Sequence, residues 1–380
     1  MARAALDETT PDGGPPPSAA SEPPEGAESE GFLVRLEPGV GTEDAEHLLD
    51  GTGAEIETES VGTGYVHITS SDAKAAEVLE RLSESQLVET AEPNLVRRPA
   101  AVPDDPYYAS NQAAYFRDAG IPAAWDVVTG ADNLVLAVLD SGVDLDHPDL
   151  AGRLVPGWDV VDDDSRPDDD HGHGTMVAGV AAARTGNGRG VAGVAWRGSI
   201  MPVKVMSSEG FATDADVAEG IVWATDHGAD VINLSLAAPG SSTALQSAVD
   251  YALAGDVVVV AAAGNDASSV PNWPAAARGV IAVGAVDRSG ARAAFSSFGS
   301  WVDLVAPGVE LATTANDGGE SYALADGTSF ASPLVAGVAL LVRAYDPGAG
   351  PAAVADRLVR SATDRGAPGP DPYSGAGVVN

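Results

Sequence analysis

The chain has 380 residues, 44% of them hydrophobic, enough to bury the core of one large domain and a smaller companion. Its formal net charge of −36 at pH 7 opposes nucleic acids and anionic lipid as partners. There is no cysteine, which excludes disulfides, thiolate nucleophiles and cysteine-based zinc sites while leaving the redox compartment open, and no run of about 18 apolar residues marks a membrane span.

Residues 1–30 are rich in Pro, Gly, Ser and Glu, with too little apolar surface to offset the entropy of ordering, and are expected to be disordered. They also lack the apolar core of a secretion signal, so the chain either stays inside the cell or is a form from which a signal has been removed. From residue 31 to 98 the pattern is strand (GFLVRLEPG), capped helix (TEDAEHLLDGTG), hairpin (EIETESVGTGYVHIT), helix (DAKAAEVLERLSES) and strand (LVETAEPNLVRR). That order predicts a small α+β, ferredoxin-like unit of βαββαβ type. A proline-punctuated stretch, 96–108, follows, with the boundary placed at 99–104 and the large domain at 105–380.

In the large domain, continuous apolar runs predict strands at 134–139, 200–206, 231–236, 257–263 and 280–285. Amphipathic stretches such as TDADVAEGIVWATDHG and STALQSAVDYALAG lie between them. Strands buried on both faces and separated by helices predict an α/β, doubly wound, mostly parallel sheet with its site at the carboxyl ends of the strands. Three polar residues stand beside glycine at such termini. Asp140 ends LAVLD, His173 opens HGTMVAGVAAA, and Ser329 opens SFASPLVAGVALLV. Singly they read as a turn residue, a helix entry and a helix cap; together they are the types a charge-oriented nucleophile requires.

The order Asp, His, Ser within LDSGVDLDHPDL, HGHGTMVAG and DGTSFASPLVAG resembles the subtilisin-like serine proteases, and DPYY, WDVVDDDSRP and AAAGND with PNWPAA resemble their thermitase-like branch. The resemblance runs from Asp105 to Asn380. It implies a serine endopeptidase with Asp140 as orienting carboxylate, His173 as general base, Ser329 as nucleophile and Asn265 as side-chain donor to the oxyanion. It also implies that Ser235, Leu236 and Ala237, with Ala262, Ala263 and Gly264, flank the specificity pocket and pair with an extended substrate. Small residues there leave room for an apolar P1 side chain, although Ala237 replaces the usual Gly. Met176, where the family often has His or Cys, changes packing only.

The run DVVDDDSRPDDDHGHGT holds seven aspartates before two histidines. His171 is read as a bystander, because zinc would need a third strong ligand and a different spacing. Oxygen donors in a short loop suit calcium, and Asp159, Asp162, Asp164 and Asp168 match a family calcium loop; the alternative is a solvated acidic loop. Asp163, Asp169 and Asp170 are read as surface charges. Asp105, Asp149 and Asn187 resemble a second family calcium site, with Arg184 and Arg189 inside its loop and His147 nearby as a structural residue. His227 is placed at a helix end, where a cation suits the dipole.

Residues 31–98 resemble the propeptide of these proteases, which assists folding and inhibits until cleavage; the alternative is a permanently attached binding domain. The chain is thus expected to be an extracellular, monomeric, self-processing zymogen acting on protein or peptide substrates, with an intracellular processing enzyme and an inactive binding module as alternatives. Its end at GPDPYSGAGVVN is expected to lack a further family helix. The acidic, lysine-poor surface, with only Lys74 and Lys204, fits either a GC-rich genome or a saline habitat.

Overall fold

Hydrophobic alternation before residue 96 and continuous hydrophobicity beyond it correspond to two compact units, Met1–Pro99 and Ala100–Asn380. The computed structural model describes residues 29–59, 64–71, 74–95 and 102–380. The expectations for residues 1–28, and for the 99–101 part of the boundary, lie outside the described residues.

The first unit runs β1 (Ser29–Leu36), α1 (Thr42–Leu48), β2 (Glu55–Glu59), β3 (Tyr65–Thr69), α2 (Ala75–Glu84) and β4 (Val88–Leu95). Its antiparallel sheet has the order β2-β3-β1-β4. Period-two burial along β3 turns Val66 and Ile68 inward, and the i, i+4 pair Val78 and Leu82 of α2 closes over them.

The second unit begins with a π-helical turn (Tyr108–Gln112) that leads into α3 (Ala113–Asp118), then α4 (Ile121–Trp125), β5 (Val135–Asp140), β6 (Trp158–Asp159), α5 (His173–Ala182), β7 (Ser199–Lys204) and α6 (Asp214–Asp226). It continues through β8 (Val231–Leu234), β9 (Ala238–Pro239), α7 (Thr243–Ala254), β10 (Val258–Ala262), β11 (Asn272–Trp273) and β12 (Ile281–Val286). The last elements are β13 (Leu304–Pro307), β14 (Leu311–Ala315), β15 (Ser321–Ala325), α8 (Thr328–Tyr345) and α9 (Pro351–Ser361). Seven strands form one parallel sheet in the order β13-β12-β10-β8-β5-β7-β6. Val135–Asp140 is apolar on both faces because α5 and α8 cover one side and α6 and α7 the other.

After β5 the chain runs out to the edge strand β6, comes back to β7 beside β5, and then crosses to add β8 on the other side. The strand order therefore reverses at β5, which opens a crevice beyond its carboxyl end, where Asp140 stands. Helix α8 is long and apolar enough to span a membrane by composition alone; 78% of it is buried against the sheet. Six strands went unread in the sequence: the two-residue β6, β9 and β11, the four-residue β13 that ends in proline, and the β14–β15 hairpin, whose buried Thr313 and Thr314 break the apolar run.

Candidate active site

The first pair of the site is set by how closely α5 approaches β5. A Cβ on Gly174 would lie 2.0 Å from the Gly142 carbonyl and 3.0 Å from the Asp140 Cβ, so only glycine lets the helix start there. That approach puts His173, the first residue of α5, against Asp140: Nδ1 is 2.7 Å from Oδ1. Asp140 is fully buried and also accepts the Ser141 N–H at 2.8 Å, while its Oδ2 has no partner among the described residues. With Nδ1–H donated to a carboxylate, the Nε2 lone pair is free to accept a proton. Burial alone would lower the pKa of His173, but the charge and hydrogen bond of Asp140, with Asp169 behind, outweigh it and raise the pKa above the usual 6.5.

Ser329 is the second residue of α8, so its N–H has no intrahelical acceptor and points at whatever sits before the helix. Pro333, four residues on, has no N–H and leaves the Ser329 carbonyl unclaimed by the helix; Ser235 Oγ donates to it at 2.8 Å. Asn233, fully buried in β8, donates to Ser235 Oγ at 2.9 Å and accepts from Ser332 Oγ at 2.7 Å. This polar clamp fixes the start of α8 over the end of β8. The Ser329 hydroxyl donates to the Ser235 carbonyl at 3.3 Å, and among the described residues no hydrogen bond joins it to His173. Such a contact commonly tightens only when substrate binds. Phe330 tilts against the His173 ring at 5.6 Å.

Asn265 has its amide oriented by the same helix. Its Oδ1 accepts the Thr328 N–H and hydroxyl, both at 2.9 Å, which leaves Nδ2 as a free donor beside Ser329. A cleft of ≈ 210 Å³ lined by Ser235, Leu236, Ala237, Ala262, Gly264, Asn265 and Ser329 lies in front. Of the sequence-predicted cleft residues, Ala263 is the exception: it is fully buried and its carbonyl is taken by Asn272 Nδ2 at 2.9 Å. Gly264 adopts φ +99°, and a Cβ there would meet Asn272 Nδ2 at 2.3 Å, so its glycine keeps the cleft floor open.

Among the described residues no three His, Cys, Asp or Glu side chains gather as a metal-binding group. In the acidic loop, three of the four candidate carboxylates are turned to partners within the loop. Asp159 Oδ1 is turned to the N–H groups of Val161 and Asp162, Asp164 caps the Arg166 N–H, and Asp168 pairs with the Arg166 guanidinium at 3.2 Å. The local cation is Lys204, 3% exposed, whose Nζ lies 2.7 Å from Asp170 and 3.9 Å from Asp159. Asp170 is therefore the partner of a buried ammonium rather than a free surface charge; the lone lysine in the strand IMPVKVM was the sequence signal for it.

The other candidate set is drawn together by hydrogen bonds. Asp105 and Asp149 are buried, and Asn187 links them: its N–H approaches Asp105 at 3.4 Å and its Nδ2 donates to Asp149 at 2.7 Å. Burial, with mutual repulsion, raises the pKa of Asp105, and burial raises that of Asp149; neither pairs with Lys or Arg among the described residues. Two buried carboxylates with no cation beside them among the described residues are hard donors of the type calcium takes; their oxygens accept the Gly186, Asn187 and Val191 N–H groups, and Asn187 Oδ1 accepts that of Arg189. His147 is structural: Nδ1 accepts the Asp149 N–H at 3.1 Å and Nε2 donates to the Ser321 carbonyl at 3.0 Å. His227 caps α6, bonded to the Trp223 carbonyl at 2.7 Å and stacked on its ring.

Asp169 is a second correction. Only 8% exposed, it accepts hydrogen bonds from Ser141 Oγ, the N–H groups of His171, Gly172 and Thr175, and the Thr175 hydroxyl.

Comparison with known proteins gives a consistent result. Residues 131–377 match the peptidase S8 profile, described as the subtilase family. A thermophilic serine proteinase of Bacillus sp. strain AK1 is 46% identical over 265 residues, covering 70% of this chain and 65% of that protein. Thermitase of Thermoactinomyces vulgaris is 45% identical over 240 residues, covering 63% of this chain and 85% of thermitase. A solved protease structure from Pseudoalteromonas arctica PAMC 21717 superposes with a TM-score of 0.69 at 34% identity, covering 74% of this chain and 97% of that one.

Proposed function

The chain belongs to the subtilase family, and from that premise we propose that it is a serine endopeptidase in which Ser329, His173 and Asp140 form the reacting triad. The observation that carries the reading is the 2.7 Å bond from buried Asp140 to His173 Nδ1, with Ser329 at the free N-terminus of α8 beside it. In this mechanism His173 Nε2 takes the Ser329 proton as Oγ attacks the peptide carbonyl. The oxyanion then develops between the Ser329 N–H and Asn265 Nδ2, and His173 returns the proton to the departing amine. Water activated by the same imidazole releases the acyl group. An extended substrate adds alongside Ser235–Ala237 and Ala262–Gly264, with an apolar P1 side chain in the cleft.

The reading extends to a monomeric, extracellular enzyme made as a self-processing zymogen with residues 31–98 as its inhibitory segment. What supports this is the family resemblance of that segment and its separate compact unit. Asp105, Asp149 and Asn187 would hold calcium, which supplies the charge that two buried carboxylates lack; the 159–168 loop would hold none.

The functional test is the pH dependence of peptide hydrolysis. Only neutral imidazole accepts the serine proton, and the His173 pKa lies above its ordinary value, so kcat/KM is expected to fall through a single protonation with a midpoint above 6.5 as pH drops. A profile flat between about pH 5 and 9 would contradict the role of His173. For calcium, titration calorimetry should find one ion per chain, lost in Asp149→Asn. At about a hundredfold excess over Kd the ion adds about 2.7 kcal/mol and raises Tm by about 5 °C or more. Two ions per chain would restore the acidic loop as a site; none would remove calcium from the account.

A further inference from the structure

We propose that Asp169 is a positioning residue for the reacting pair, a buried carboxylate that ties the end of β5 to the first turn of α5 and so sets how Asp140 and His173 meet. The inference rests on the triad reading above.

Helix α5 cannot cap itself. Its N-cap is Gly172, held at φ +96°, where a residue with a side chain would be strained and glycine has none to offer. The orphan N–H groups of that turn are instead met from outside. Asp169 Oδ1 takes those of His171 at 3.1 Å and Gly172 at 2.8 Å, and Oδ2 takes that of Thr175 at 2.9 Å. Ser141 Oγ takes that of Gly174 at 2.9 Å. Ser141 is also the link to the other half of the pair: its hydroxyl donates to Asp169 Oδ1 at 2.8 Å, and its N–H donates to Asp140 Oδ1 at 2.8 Å. Asp140 and His173 are therefore fastened to a common anchor, one from each side. A negative group at a helix N-terminus is favourable in itself.

Both Asp169 oxygens face donors only, so asparagine in either flip sets its amide N–H against an N–H or O–H group. The charged and titratable groups that meet His173 are Asp140 on β5, with Asp169 and His171 on the preceding loop; α8 presents Phe330. Loss of the Asp169 charge removes one of the two carboxylates that favour the imidazolium, so it should lower the His173 pKa.

The test compares Asp169→Asn and Ser141→Ala with the wild type, using one peptide substrate and counting competent sites with a fluorophosphonate. Per titrated site, kcat of Asp169→Asn should fall about ten- to a hundredfold with KM little changed, as for a misplacement of about an ångström. Its acid limb should move to lower pH, and Ser141→Ala should lower kcat in the same direction by less. The proposal is overturned if melting temperature or the titratable fraction falls while kcat per site and the acid midpoint stay put. Should Asp169→Asn fail to fold, an unchanged kcat in Ser141→Ala overturns it. A wild type without Ser329-dependent hydrolysis would sink the triad reading, and this inference with it.

Discussion

Replacing Ser329 with alanine should lower kcat about 10⁶-fold while KM changes little, the size of loss that the corresponding change produces in subtilisin. Ser329 Oγ is the hydroxyl at the N-terminus of α8, the Asn265 amide is oriented by Thr328, and His173 is the imidazole held by a buried carboxylate. Alanine removes the only atom that can form the acyl bond and leaves the clamp from Ser235 to the residue-329 carbonyl intact, because that bond uses backbone. The variant should thus fold and bind peptide normally. Residual hydrolysis would come from the oxyanion donors alone. Self-processing reads the same change independently: the wild-type chain should lose its N-terminal segment within 96–105, and Ser329→Ala should keep it. A variant that retained even a tenth of wild-type kcat would remove Ser329 from the mechanism.

Asn265→Ala is expected to lower kcat by about 10² to 10³, again with KM nearly constant. Its carboxamide oxygen is committed to two donors on Thr328, so the amide NH₂ alone faces the cleft and can meet an oxyanion but gains little from a planar substrate carbonyl. An interaction realised only in the transition state appears in kcat rather than KM. Asn265→Asp should do comparable damage, since it replaces a donor with an acceptor beside developing negative charge. If either variant raised KM at constant kcat, Asn265 would be a substrate-binding residue and the oxyanion would lack its side-chain donor.

The parallel sheet was legible because its strands are buried on both faces: short β-branched runs such as VVVVAAA, alternating with amphipathic stretches, read as interior strands between helices. The positions of Asp140, His173 and Ser329 at element termini were legible because each stands in a distinctive word beside a strand or helix end. Burial was harder to read where polar groups carry it. Thr313 and Thr314 lie fully buried in β14 because their hydroxyls donate to the Met176 and Thr175 carbonyls of α5, a pairing no local pattern announces. The acidic run misled for a related reason. Seven carboxylates look alike in sequence, yet Asp169 is a hub of hydrogen bonds, Asp170 meets a buried lysine, and Asp163 sits exposed at φ +55° in the turn. Which carboxylate turns inward depends on donors supplied by Ser141, Thr175 and Lys204, 5 to 34 residues away from the run's end at Asp170 along the chain.

The most direct measurement is the intact mass of the folded chain after treatment with a fluorophosphonate, followed by peptide mapping. One adduct per chain, on Ser329 and slowed severely by His173→Ala, is the predicted result. No adduct, or one on another serine formed at the same rate without His173, would contradict the assignment of Ser329 as a nucleophile activated by His173.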